Sequence, residues 1–350
     1  MTIFTLIFLF VPFLYIFLVS TAERDEDGLV SFDLQGGLII LVLYMFTLIF
    51  VESNDKPTYL EYYLDAENFY GDFTREVIWG KLQIFLSSFL MKNELLYWLF
   101  YSFVYCLAYF VVARKLFPYE FAGYFVLCVV GCMGFVSYGS NTIRAGFGIA
   151  LLLIAFSSDN RWLKCLLPLV AVGCNMPMLI PFSGYLIARY IMRKDLWCEC
   201  IWVLFLLITL TTSVVSDIML LAGGLDDRAA EFVNVDETTE VYNVGFRTDF
   251  LLYSLIPVLF VKYNVRNLVG ENLVYHTVYR TYLLVNALWL LLIRLPFTDR
   301  FAYLSWFMIP FLLMYPVLNE QLDTQRPQRY VLSAIGIFFL VNAALMLKSS

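Results

Sequence analysis

The sequence predicts an all-α, polytopic integral membrane protein of about 12–13 transmembrane or re-entrant helices. Hydrophobic residues make up 61% and charged residues 15% of the 350 positions, and the mean hydropathy is +0.76, whereas a soluble domain carries about 25% charged residues. The chain is cut into apolar runs close to the bilayer-spanning length of about 20 residues. No polar stretch is long enough to form a soluble domain, so residues 1–350 are expected to make a single transmembrane domain.

The first run, 3–20, lacks a basic leader and a small-residue cleavage site, and reads as a retained helix rather than a signal peptide. Clear spans follow at 36–51, 95–113, 119–138, 143–157, 177–191, 196–222, 248–264, 276–295, 301–318 and 331–347. Two stretches are irregular. Residues 79–91 are short for a crossing and read as an interfacial or re-entrant helix. Residues 162–182 contain Pro168, Gly173, Pro177 and Pro181, which predicts a broken helix. Non-helical backbone at membrane depth is tolerated only inside protein or along a watery cavity, so this break is a candidate cavity wall.

Loop charges orient the spans. Arg114-Lys115, Arg161 with Lys164, Arg189 with Arg193-Lys194, Lys262 with Arg266, and Arg326 with Arg329 fall in alternate loops. The positive-inside rule makes that side cytoplasmic. Loops 138–144, the break near Asn175, the acidic loop 223–247 and loop 295–300 then face outward. The side of loop 52–78 depends on whether 79–91 crosses. Behind the net charge of −6, much of the negative charge sits in two short loops, Glu23–Asp27 and Asp226–Glu240, with no polybasic tail or groove, which argues against a nucleic-acid partner. The seven cysteines form no CxxC pair and sit in or beside apolar runs, as ordinary packing residues do. A single histidine, His276, leaves no Ser-His dyad for a membrane protease and no mid-membrane His for an acyltransferase.

Arginine is disfavoured on the outer side, yet Arg144, Arg247, Arg294 and Arg300 lie at outward helix ends. Arg144 follows Ser140-Asn141-Thr142, three residue types that cap helix N-termini. Snorkelling, or pairing with a neighbour such as Asp299, accounts for any one arginine alone. Several on one disfavoured face, beside helix breaks, point instead to an anion site, because guanidinium forks grip phosphate oxygens. Asp55, Asp249, Asp299 and the 226–240 cluster are the acids on that side, and a carboxylate beside an acceptor hydroxyl can serve as general base. Asp226-Asp227 is a weak metal signal, and no metal or cofactor is called for.

These residues resemble the Wzy-type polymerases of bacterial polysaccharide repeat units, especially the EpsG-like branch. Asp55-Lys-Pro-Thr-Tyr59 resembles that family's Asp-x-x-x-Tyr. Asn141-Thr-Ile-Arg144-Ala145 is similar to its Ile-Arg helix start. Residues 173–180 resemble its helix pair, and Asp299-Arg300-Phe-Ala-Tyr303 its late segment. Two positions depart from the pattern: Asn175 stands where the family usually has His, and Glu52 where an Arg often precedes the Asp. The resemblance implies an outward loop 52–78, and hence a re-entrant 79–91. It implies a multi-pass glycosyltransferase of the bacterial inner membrane that joins undecaprenyl-diphosphate-linked oligosaccharides, with a chain-length regulator and a flippase of the same pathway as partners. Arg144, Arg300, Asp299 and Asp55 would then carry the chemistry. Arg294, Arg247, Tyr59, Asn141, Asn175 and Tyr303 would hold substrate. A lipid-linked-oligosaccharide transporter or flippase would share the arginines and broken helices, but no internal two-fold repeat is evident. A glycan ligase is not separated from a polymerase by sequence.

Cysteines introduced beside Arg144, Asp236 and Asp299 should react with an impermeant thiol reagent from outside, and those beside Lys115, Lys194 and Arg266 should be protected. Labelling of both sets from one side would break this topology.

Overall fold

The computed structural model describes residues 29–69, 76–212, 245–265, 272–295, 298–319 and 327–349. The expected helix at 3–20 and residues 223–244 of the acidic loop lie outside the described residues. Among the described residues all regular structure is helical. The chain divides into two compact units, Met1–Leu179 with Leu313–Ser350, and Ile180–Leu312.

The first unit opens with α1, Leu34–Phe50, capped by the Asp33 carboxylate, which accepts the Gly36 N–H at 2.9 Å. One face of α1 buries Leu41, Tyr44 and Leu48, while Ile39, Phe46 and Phe50 stay exposed, as on a helix with lipid on one side. A Cβ on Gly37 would lie 3.1 Å from the Gly123 Cα, so α1 meets the next long segment backbone to backbone. Helix α2 is Lys56–Leu64, α3 is Val77–Phe89, and α4 is Glu94–Leu116. Helix α4 has Glu94 in its first turn and Arg114-Lys115 in its last, matching the macrodipole at both ends. It is long and apolar enough to span a bilayer, as is Thr298–Leu318 in length and composition.

The expected single span at 119–138 is two pieces. Helix α5, Ala122–Gly131, and α6, Met133–Val136 with a π-helical turn Ser137–Asn141, bend by 75° at Cys132. Gly131 and Gly134 flank that bend and weaken the helix there, and Gly131 also lets α5 approach Phe339 of the last helix. Helix α7, Ile143–Ser157, turns back tightly: a Cβ on Gly146 would sit 2.1 Å from the Tyr138 carbonyl oxygen, so only glycine fits. Helix α8, Arg161–Cys174, runs through Pro168 and breaks at Asn175, whose backbone is extended. Pro177, in the 3₁₀ turn Met176–Met178, cannot continue the ladder, which places the break about two turns after the Pro168 that sequence also offered.

Helix parity settles α3. The Lys115 ammonium meets the Asp159 carboxylate at 3.3 Å, so α4 and α7 finish at one end of the unit and begin at the other. At the beginning end, the Tyr63 hydroxyl reaches the Asn93 carbonyl at 3.3 Å and the Tyr97 hydroxyl the Tyr59 carbonyl at 3.4 Å. Helix α3 starts from Glu76, bonded to Arg144 at that same end, and α4 begins there a few residues after α3 finishes. Both ends of α3 therefore lie at one end of the unit, so α3 does not cross it, as the interfacial or re-entrant reading of 79–91 requires. Its 13 residues cover only about 20 Å.

In the second unit, α9, Leu179–Leu186, runs into a π-helical turn Ile187–Ile191. Helix α10 is Asp195–Thr211, α11 is Thr248–Phe260 with a π-helical turn Val261–Val265, α12 is Leu273–Leu291, and α13 is Thr298–Trp306. Helix α14, Ile309–Leu318, follows α13 after a two-residue turn, and the two together make the expected 301–318 span. Helix α15, Pro327–Ser349, returns to the first unit and is close to the expected 331–347. Buried Asn286 joins the second unit: it accepts from Trp202 Nε1 at 2.8 Å and donates to the Ser254 and Ser305 hydroxyls at 3.2 and 3.0 Å. Nearer the start of α10, Asp195 accepts from His276 Nδ1 at 2.6 Å and from Arg280 Nε at 2.5 Å. Burial raises the Asp195 carboxyl, but the bonds and charges of His276 and Arg280 outweigh it and hold the group below its usual range.

Asn54 and Lys92, both exposed, flank α2 and α3. Cysteines at these two positions should be labelled from the same side of the membrane, and opposite sidedness would mean that α3 crosses.

Candidate functional site

In the first unit the chain brings together residues far apart in sequence. The Asp55 N–H donates to Asn141 Oδ1 at 3.2 Å, and the Ser53 hydroxyl to the Ser140 carbonyl at 3.0 Å. The loop bearing Asp55 is thereby seated on the turn that leads to Arg144. Lys56 fixes the loop from the other side. Its ammonium donates to the carbonyls of Leu48, Ile49 and Val51 at 3.0, 2.8 and 2.5 Å, so the orphan acceptors at the end of α1 are filled by one cation. The same ammonium lies 5.1 Å from the Trp98 ring centroid. Tyr59, one turn along α2, packs edge-on against Trp79 of α3 at 6.1 Å between centroids.

Arg144, in the first turn of α7, donates through Nη1 to Glu76 Oε2 at 2.5 Å. The other oxygen, Glu76 Oε1, accepts the Met176 N–H at 3.2 Å, immediately after the break at Asn175. One carboxylate thus ties the start of α3, the start of α7 and the broken end of α8. Its side chain is 4% exposed and that of Arg144 29%. Asn175 is itself buried, and its carbonyl accepts the Met178 N–H at 2.9 Å.

Two sequence expectations change here. Ser140, Asn141 and Thr142 do not cap α7. The Ser140 and Thr142 hydroxyls donate backwards to the Val136 and Ser137 carbonyls at 2.8 and 3.3 Å, and the Asn141 side chain holds the Asp55 loop. Those carbonyls, on the last residue of α6 and the first of the π-helical turn, draw the two hydroxyls back towards the preceding turn and away from the first N–H groups of α7. Glu76 was not singled out by sequence. Beside Arg75 it reads as a solvated pair, and the available signal was an acid opening an apolar run while Arg144 lacked a partner.

The second unit holds the other arginines. Arg247 makes a two-pronged pair with Asp249, at 2.9 Å from Nε and 2.7 Å from Nη2, and its guanidinium carbon lies 3.7 Å from the Phe250 ring centroid. Arg294, just beyond α12, donates from Nη2 to the Thr209 carbonyl at 3.3 Å and faces the Phe246 ring at 5.4 Å. Its Nε is buried with no hydrogen-bond partner among the described residues. Asp299 and Arg300 occupy the first turn of α13, with Arg247 near enough to act on Asp299 electrostatically. Tyr303, one turn on, packs against Trp306 at 5.4 Å. Arg247, Arg294, Asp299 and Arg300 therefore belong to this unit, and Asp55, Tyr59, Asn141, Arg144 and Asn175 to the other. Among the described residues no group of His, Cys, Asp and Glu side chains is arranged to hold a metal.

All-helical architecture, with long apolar helices and broken ones, defines a polytopic membrane protein. The chain matches the EpsG family over residues 33–350 and belongs to it, which makes it a membrane protein of polysaccharide biosynthesis. No curated protein and no solved structure matches it.

Burial pushes the Lys56 ammonium down to about 8 from 10.5, against the opposing pull of Glu52. Below that value folded and unfolded chains are both protonated, and the cost of burying the charge is fully present. Between about 8 and 10.5 the unfolded chain keeps a proton that the folded one has lost, so this group's contribution to stability rises with pH. The melting temperature of the wild type relative to Lys56→Met should therefore rise as pH increases from 7.5 to 9.5, and a flat difference would contradict it.

Proposed function

We propose that this protein is a glycosyltransferase that polymerises undecaprenyl-diphosphate-linked oligosaccharide repeat units at the outer face of the bacterial inner membrane. The glycosidic bond forms between the anomeric carbon of the growing chain and a hydroxyl of the next lipid-linked unit. The bond from that carbon to the lipid diphosphate breaks, the hydroxyl proton passes to a base, and the diphosphate departs with the electron pair. The leaving group is thus an anion whose charge grows in the transition state, and preorganised guanidinium donors lower that barrier. Family membership supports the pathway, and Arg294 carries the reading. A buried guanidinium N–H without an acceptor is costly, and a phosphate oxygen is an acceptor of the right charge for it. Arg247 and Arg300, in the same unit, add positive charge. Asp299 and Asp55 are the carboxylates available as general base, one in each unit.

Deleting the gene should collapse the surface-polysaccharide ladder to single repeats. Build-up of lipid-linked units on the cytoplasmic side would mean a flippase instead. Arg294→Ala and Arg300→Ala should each cost about a hundred- to thousandfold in chain extension at normal membrane protein levels. Arg294→Lys should fail nearly as badly, because a lysine has no N–H at the Nε position and no planar fork. Arg114→Lys, on the opposite side, should be silent. Full-length polymer from both Arg294 variants would remove the diphosphate clamp.

A further inference from the structure

We infer that Glu76 is a positioning residue for a phosphate of the lipid-linked substrate, acting through Arg144. The inference rests on the polymerase reading, and it adds to the Arg144 anion contact the carboxylate that holds that arginine, which the arginine pattern did not show. Both Glu76 oxygens are engaged by the protein, one by Arg144 Nη1 and one by the Met176 N–H. With a side chain only 4% exposed, Glu76 is placed to orient its partner rather than to touch substrate. Arg144 is the reverse case. It is 29% exposed, and among the described residues its hydrogen-bonding partner is Glu76, through Nη1. The edge of the fork carrying Nε and Nη2 is then left for two parallel bonds to a phosphate.

Two features of the surroundings point the same way. Helix α7 begins without a side-chain cap, so its first-turn N–H groups and the arginine share one end, an arrangement that favours a phosphate oxyanion. The Glu76 bond to Met176 also fixes the Asn175 break against the same carboxylate, so the guanidinium and the interrupted backbone keep one register. A long arginine side chain left to itself populates several rotamers. The buried carboxylate selects one, and a contact misplaced by an ångström loses most of its effect.

The test uses the purified full-length protein in detergent, with farnesyl diphosphate as the probe and calorimetric affinity and melting temperature as readouts. Glu76→Gln keeps an acceptor for the Met176 N–H but loses the charge that grips Arg144. It should weaken binding about ten- to hundredfold, the range that removing a ligand's orienting partner costs at metal sites. Glu76→Gln combined with Arg144→Gln should bind no worse than Arg144→Gln alone, because the carboxylate acts only through the arginine. Asp195→Asn, which breaks another buried ion pair, should lower the melting temperature and leave affinity unchanged. If Glu76→Gln does not fold, Glu76→Asp replaces it. That variant keeps the charge but shortens the reach, and it should also weaken binding. Wild-type affinity in either folded Glu76 variant, or additive losses in the double variant, would overturn the inference while leaving the polymerase reading intact. A wild-type protein that does not bind farnesyl diphosphate would overturn both.

Discussion

A carboxylate placed in apolar surroundings must find a cation and hydrogen-bond donors, and the first unit is arranged around one that does. Glu76 is satisfied by the Arg144 guanidinium and the Met176 N–H, which come from two other helices. Removing Arg144 would leave the Glu76 carboxylate buried and uncompensated, at a cost of about 3–5 kcal/mol. The pair therefore decides where α3 begins, how α7 starts and where the interrupted end of α8 rests. The Asp55 loop then docks on the turn before Arg144, held from behind by Lys56 across the end of α1. Close glycine contacts complete the arrangement: at Gly173 a Cβ would lie 2.4 Å from the Ile78 side chain, so α3 and α8 pack at a distance that a larger residue would not allow.

The second unit joins its helices through neutral groups as well as through the Asp195 pair with His276 and Arg280. Asn286 shares its amide among Trp202, Ser254 and Ser305, and Trp306 donates to the Ser254 hydroxyl at 2.8 Å. Apolar burial does little to choose between helix faces when the surroundings are also apolar, so such bonds between helices set the register. Within this unit, and among the described residues, the Arg294 Nε is the buried side-chain donor that finds no acceptor.

Much of this was legible in the sequence because it depends on local chemistry. The apolar runs, the alternation of basic loops and the short run at 79–91 follow from hydropathy and charge. So does the choice of Arg144, Arg294 and Arg300 as charges on a face where charge is disfavoured. The helix break near Asn175 was legible for the same reason, since Pro177 cannot continue a hydrogen-bonded ladder. The resemblance to EpsG-like proteins rested on short segments around Asp55, Arg144, Gly173 and Asp299, and the family match over residues 33–350 includes all four.

What the sequence determined by itself was the class of protein, the number of apolar runs and the residues carrying unexpected charge. Each of these is a property of a residue and its near neighbours. Only the tertiary structure decided which charges meet. Glu76 and Arg144 are 68 positions apart, and Glu76 and Met176 100 apart, so no local pattern announces them. The same limit explains why Ser140, Asn141 and Thr142 looked like caps and are not. A polar side chain turns to the nearest well-placed partner in three dimensions: the Ser140 and Thr142 hydroxyls donate back to the Val136 and Ser137 carbonyls, and Asn141 Oδ1 accepts the Asp55 N–H rather than one from α7.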